Sequence, residues 1–341
     1  MWANLKGFLS LELKFVIMSK CYSCSEALVG DNRSFEHIIN NSIGGHKGSS
    51  ELLCKNCNEV FGDTIDANLA GQLRDFAILL DAKRDRSLVE PRIKMTTING
   101  DIKEVGYGMK PNIKLSFPTE EKQVELFTTE SKYRKLVRTK TKELKEKGNV
   151  TFIKSSELPN KEKYYLKNDF SDGDGNRLFG GKLMHRSVAK MCVNRYLSQK
   201  YDPKYCTQII DFIKGKLHPY PHFYYFPKTY EIYRPDEDEV SHLIHLRGDA
   251  KTRVLYAYIE LFNFENAILI FDMNYDGEDF TDTYILNILS GMEVQKNVSI
   301  KLTRNHFEDL NLICQDFYSV YVARHNRLLQ IIEKRQLRSL S

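Results

Sequence analysis

Long apolar runs are what this 341-residue chain lacks most plainly. A helix that crosses a bilayer needs about 20 consecutive apolar residues, and no stretch supplies them. The opening residues MWANLKGFLSLELKFVI come nearest, but Lys6, Glu12 and Lys14 break the continuous hydrophobic core that a signal peptide requires. Neither export nor membrane insertion is expected, and residues 1–17 read as an N-terminal extension ahead of a second natural start at Met18. Cysteine is scarce as well, seven in all, which is too few for a disulfide scaffold and fits a reducing, cytoplasmic location. Internal repeats and low-complexity linkers are missing, so nothing suggests a repeat architecture. A strong excess of one charge is missing too: 50 Lys+Arg stand against 45 Asp+Glu, a net of +5.

What is present is unevenly placed. Four of the seven cysteines form two CxxC pairs, Cys21-Tyr-Ser-Cys24 and Cys54-Lys-Asn-Cys57. Each such turn presents two sulfurs to one cation, so the two together predict a tetrahedral structural zinc site. Cys192, Cys206 and Cys314 lie among apolar neighbours and read as small buried hydrophobes. The charge is concentrated in the middle: residues 91–168 hold 18 Lys+Arg and 10 Asp+Glu, against 10 and 12 in residues 1–90 and 22 and 23 in the remainder. Lys132, Arg134, Lys135, Arg138, Lys142 and Lys145 fall on a predicted helix over 131–147. Such a face suits phosphate contact, and equally a solvated surface on which Glu143 and Glu146 act as partners.

The chain is long enough to bury a large core and divides by pattern into an extension at 1–17, a zinc-stapled module at 18–90, a basic hairpin and helix segment at 91–168, and an α+β region at 169–341. The module reads as knuckle, short extended pieces, Gly-rich loop, second knuckle and a helix from about Asn58, continued by a helical strut over 69–80. With so little core of its own, it would draw folding free energy from the metal. Residues 92–108 alternate on either side of Asn99-Gly100, the pattern of a β-hairpin with a tight two-residue turn. Strand-like runs follow at 112–117, 123–128 and 149–154. Asp172-Gly-Asp-Gly-Asn176 reads as a plain turn, since the downstream Glu of a calcium loop is missing. Leu183 to Tyr201 carries the apolar stripe of a helix packed on a sheet, and the sheet is expected over 240–272. A long closing helix is expected to open at Asn305, three residues before Glu308, in a capping-box spacing. His242 and His245 point to opposite faces of a strand and are not expected to share a metal, and His218 to His222 reads as a rigid aromatic loop.

Between the knuckles lies Glu36-His37-Ile-Ile, and Asn58 follows Cys57 directly. Hydrolysis of a phosphodiester at neutral pH requires an activated water, a cation on the scissile phosphate and stabilisation of the leaving oxygen. One neutral imidazole and one hard divalent cation on two oxygen ligands meet all three needs. His37 is the candidate base, and Glu36 and Asn58 are the candidate ligands. Neighbours in a strand face opposite ways, so Glu36 can serve a metal and His37 a water only at a strand end beside a helix. Gly44 and Gly45 would allow a sharp turn and close approach of a phosphate strand. Arg33, Lys47 and Lys55 are secondary candidates for phosphate contact, and surface residues by default.

In the order CxxC, Glu36-His37, Gly44-Gly45, Leu52-Leu53-Cys54 and CxxCN, residues 21 to about 70 resemble the zinc-stapled branch of the HNH endonucleases, the ββα-metal or His-Me finger superfamily. The resemblance implies an α+β protein in which a zinc-bound ββα-metal module precedes a larger mixed region with antiparallel strands and a long C-terminal helix. It implies His37 as general base, Glu36 and Asn58 as ligands of a catalytic Mg²⁺ or Mn²⁺, and Cys21, Cys24, Cys54 and Cys57 as ligands of structural Zn²⁺. DNA is the implied substrate, with RNA the other option. One site cuts one strand, so double-strand cleavage would call for a homodimer. Two positions depart from the family: Glu36 stands where Asp is frequent, and Glu51 where the central Asn usually braces the loop. Fusion of such a module to an unrelated region suggests, by analogy, restriction or phage defence. The rival reading is a zinc-containing nucleic-acid-binding or regulatory protein that no longer cuts.

Overall fold

The computed structural model describes residues 19–82, 180–216 and 232–308 throughout, and in addition 92–97, 100, 102–105, 112–118, 123–128, 130–144, 153–157, 164–166, 222–223 and 317–340. The extension at 1–17, the Asp172–Asn176 turn, Asn99, Lys145, Glu146, His218 and Cys314 lie outside the described residues.

The first knuckle is a tight turn in which Ser25 N–H donates to Cys21 O at 2.8 Å, with Ser25 at φ +67°. The chain then runs into β1 (Glu36–His37), which pairs antiparallel with β2 (Gly48–Ser49), Glu36 opposite Ser49 and His37 opposite Gly48. Helix α1 (Lys55–Phe61) follows, then one wide π turn over Gly62–Asp66, then α2 (Ala67–Leu79). This helix begins at Lys55 rather than near Asn58. Cys54 is its N-cap, its sulfur accepting from Cys57 N–H at 3.5 Å, so the knuckle itself supplies the cap. Leu69, Leu73 and Phe76 recur at helical spacing and are buried.

The middle segment forms two small sheets. Strands β3 (Ile93–Thr97) and β4 (Ile102–Val105) make the expected hairpin. Thr96 pairs with Ile102, and Gly100 takes φ +88°; residues 98, 99 and 101 of the connection lie outside the described residues. Strands β5 (Asn112–Pro118) and β6 (Gln123–Thr128) precede the basic helix α3 (Glu130–Leu144), which lies against both. Strand β7 (Ile153–Glu157) then pairs with β5, and β8 (Tyr164–Leu166) pairs with β3.

Helices α4 (Lys182–Ser198) and α5 (Thr207–Ile213) lead into an antiparallel sheet of six strands, β9 (His222–Phe223), β10 (Ser241–Asp249), β11 (Val254–Leu261), β12 (Glu265–Asp272), β13 (Phe280–Asn287) and β14 (Met292–Glu293), in the spatial order β14-β13-β10-β11-β12-β9. The apolar stripe of α4, with Val188, Ala189, Cys192, Val193 and Tyr196 buried, packs on this sheet as its spacing predicts. Arg304–Glu308 forms the short helix α6, and α7 spans Phe317–Leu340. Asn305 lies inside α6 rather than at its cap: Thr303 N–H donates to His306 Nδ1 at 3.1 Å, and Arg304 reaches Glu308 at 2.7 Å. No helix among the described residues is long and apolar enough to cross a membrane.

One apolar core joins the zinc-stapled module to this sheet. Phe76 of α2 lies 5.8 Å from the Phe262 ring and 5.4 Å from the Phe264 ring, at the β11–β12 turn where Phe262 and Asn263 take φ +53° and +58°. Leu28, Ile39, Ile43 and Leu53 of the module belong to the same buried cluster as Ile244, Ile259 and Ile288. A second, smaller cluster on the other face holds Tyr256, Tyr258, Ile300 and Leu302. His242 and His245 take separate partners, Ile43 O at 2.9 Å and Thr283 Oγ1 at 2.7 Å, so they do not form a metal pair.

Candidate functional site

The four knuckle sulfurs of Cys21, Cys24, Cys54 and Cys57 all lie within 4.8 Å of one another, and Cys24 Sγ is 3.6 Å from Cys54 Sγ. Tetrahedral zinc at about 2.3 Å from each thiolate puts the sulfurs slightly under 4 Å apart, so this donor set fits the metal. Cys21 and Cys54 are buried and Cys24 is exposed, which sets the site at the module's edge. Burial pushes the Cys57 thiol up, and a cation in place of its proton relieves that cost.

Strand alternation separates the two central residues of the motif. The His37 side chain is half-buried, its ring meeting that of Phe35 edge-on with centroids 5.1 Å apart and planes at 87°. Phe35 remains 47% exposed, which leaves this face open to a substrate. Glu36 points the other way and is only 5% exposed. Its Oε1 accepts from Lys190 Nζ at 2.5 Å and from Asn194 Nδ2 at 2.8 Å, both on α4. Lys190 also pairs with Asp66 at 2.7 Å, and Ser187 Oγ donates to Asp66 at 2.6 Å. Burial holds the Glu36 carboxyl above the usual carboxylate range, with Lys190 pulling against it and Asp66 adding to it. Burial would also lower the Lys190 ammonium, but Glu36 and Asp66 outweigh it and hold the group charged.

Asn58 sits in the first turn of α1 and reaches the start of β1. Its Nδ2 donates to Ser34 Oγ at 2.7 Å and to Phe35 O at 3.4 Å. With the nitrogen turned toward the protein, the amide oxygen carries no hydrogen bond among the described residues, and the same holds for Glu36 Oε2. Each of these is a hard oxygen donor, the kind that Mg²⁺ or Mn²⁺ takes. The structure thus brings Asn58 to the strand that carries His37, and it commits one half of Glu36 to α4.

Other expectations resolve differently. Gly44 takes φ +101° beside the Ala82 and Ile288 side chains, and a Cβ on Gly45 would lie 1.8 Å from Ile39 O, so what approaches these glycines closely is the protein itself. Glu51 is exposed and pairs with Lys200. Lys47 is paired with Glu293 at 2.9 Å, and Arg33 Nε donates to Leu28 O at 2.7 Å. On α3, Arg134, Lys135, Arg138 and Lys142 are exposed while Leu136 is buried.

Lys190, Asn194 and Asp66 went unrecognised in the sequence. For Lys190 and Asn194 the signal was a polar line, Ser187, Lys190 and Asn194, at helical spacing beside the apolar stripe of α4; Asp66 gave none.

Residues 21–74 match the family model described as HNH endonuclease. The match opens on the first zinc cysteine and closes within α2, so it spans the ββα unit just described. No curated protein and no solved structure matches the chain. The N-terminal module is therefore of the HNH type, and the match supports a nuclease-type function.

Proposed function

We propose that the protein is a metal-dependent endonuclease that hydrolyses phosphodiester bonds in DNA, with RNA as the alternative substrate. The observation that supports this most directly is the state of the two expected ligands: among the described residues, Asn58 Oδ1 and Glu36 Oε2 each carry no hydrogen bond while the other end of the same group is anchored. His37 acts as general base, taking the proton of the attacking water at its imidazole. The Phe35 ring limits how far that imidazole can turn. When bound, a divalent cation on Glu36 and Asn58 would neutralise charge at the scissile phosphate and at the leaving oxygen. The exposed basic residues of α3 supply the wider phosphate contact that a small site lacks. A monomer carries one such site and nicks, whereas a two-fold dimer would cut both strands.

Incubating supercoiled plasmid with Mg²⁺ or Mn²⁺ tests this. The wild-type protein is expected to produce open circles, and His37→Ala to lower the rate by about 100-fold or more with its zinc retained. Nicking that survives the substitution would overturn the assignment. A parallel arm with single-stranded and duplex RNA decides the substrate. One observation favours the second reading, a zinc module that binds nucleic acid without cutting it: Lys190 already sets a positive charge against Glu36. That reading expects salt-sensitive DNA binding and no nicking with any metal.

A further inference from the structure

Five polar side chains, Tyr22, Glu36, Asp66, Lys190 and Asn194, meet where α4 packs on the module. Lys190 is 2% exposed, and its ammonium lies between Glu36 Oε1 at 2.5 Å and Asp66 Oδ2 at 2.7 Å. Asn194 is fully buried, and its Nδ2 donates both to Glu36 Oε1 at 2.8 Å and to the backbone carbonyl of His37 at 2.9 Å. The Tyr22 hydroxyl donates to Asn194 Oδ1 at 3.0 Å and so fixes which way that amide faces. Burying a charged cluster is costly, and replacing all its members by well-packed apolar residues of similar volume frequently stabilises a fold as well or better. Stability explains why Lys190 accompanies Glu36 and Asp66, but not why the cluster as a whole is buried here.

We propose that Lys190 and Asn194 are positioning residues for Glu36, so that the hydrolytic site is assembled from both the module and α4. The inference rests on reading Glu36 as a ligand of the hydrolytic cation. Two donors occupy Oε1 and fix the carboxylate rotamer, which presents Oε2 in one direction. The same Asn194 amide holds the carbonyl of His37, so the ligand and the base are registered to each other through one side chain. Charge points the same way. The cluster sets two carboxyl groups, Glu36 and Asp66, against the one ammonium of Lys190, so the ammonium is shared rather than matched to Glu36 alone. Lys190 separates two carboxylates that would otherwise repel each other without water to screen them. The competing idea, that Lys190 is a plug occupying the cation's place, predicts the opposite response to its removal.

The test uses the full-length, zinc-loaded protein, with Mn²⁺ binding followed by the EPR signal of free Mn²⁺ and nicking titrated with Mn²⁺ in parallel. The wild type is expected to bind one Mn²⁺ that Asn58→Ala abolishes. Lys190→Met is expected to weaken that binding by about tenfold or more, in the range found for groups that orient metal ligands, and to raise the Mn²⁺ concentration for half-maximal nicking by the same factor. Lys190→Arg should recover most of both. Because Lys190→Met leaves two carboxylates facing each other, Lys190→Met/Asp66→Asn serves as a charge-relieved companion, with circular dichroism and zinc content confirming that it folds. Mn²⁺ binding by either variant that equals or exceeds the wild type overturns the inference and leaves the nuclease reading standing. If the wild type binds no second cation and His37→Ala nicks as it does, the nuclease reading fails and takes this inference with it.

Discussion

Gly48 has no room for a side chain. A Cβ there would lie 2.3 Å from Glu36 O and 2.8 Å from the Phe35 ring, on the residue paired directly with His37. Gly48→Ala is expected to destabilise the protein by about 1–3 kcal/mol, the usual cost of overfilling a packed site, and to cut nicking more than the stability loss accounts for. Thermal unfolding and plasmid assays on one preparation check this, and an alanine variant with unchanged melting and unchanged rate would show that β2 can move aside. At this scale the motif residues were legible because their chemistry is local: four thiols in two turns, an acid beside an imidazole, an amide after the last cysteine. Lys190 was not legible. Its partner Glu36 lies 154 positions away, and only the folded chain shows which helix covers the acid's buried face.

Helix α1 shows how a metal can set an element. Cys54 caps it through its sulfur, Cys57 lies in its first turn, and Asn58 follows on the same turn. Stripping the zinc with a chelator, or replacing Cys57 by Ser, should release the cap and let the first turn fray. Amide hydrogen exchange at residues 57–61 is then expected to approach that of an unstructured chain, while β10 to β12 stay protected. Equal protection with and without zinc would show that packing against the sheet, rather than the metal, holds the helix. The elements themselves were largely readable from pattern: the hairpin around Asn99-Gly100, the α4 stripe and the sheet over 240–272 all formed. Their ends were less so. The α1 start moved to Lys55 because a sulfur can cap as an oxygen does.

At the scale of the whole molecule, the module and the sheet meet at His242. Its Nε2–H donates to Ile43 O at 2.9 Å, and its Nδ1 accepts from Phe262 N–H at 3.1 Å, so the second bond requires the neutral ring. Burial pushes its pKa down from 6.5 to about 4, and burial does the same at His245. A histidine depressed in the fold is protonated more readily in the unfolded chain, so its contribution is complete above about pH 6.5 and is lost as pH falls toward 4. A fall of that size corresponds to roughly 3 kcal/mol for each residue. Both rings therefore act against the fold in mild acid, and protonation of His242 also breaks the bond from Phe262 N–H at the junction. The check is the melting temperature of zinc-saturated protein between pH 7.5 and 5, for wild type and His242→Gln. The variant should start lower, because a buried bond is lost, yet fall less over that interval, since one of the two protonations is gone. The zinc site weakens equally in both proteins as its thiolates take up protons, so the difference between the two slopes isolates the imidazole. Parallel slopes would mean that the fold does not depress the His242 pKa, and that the junction between module and sheet is not where acid acts.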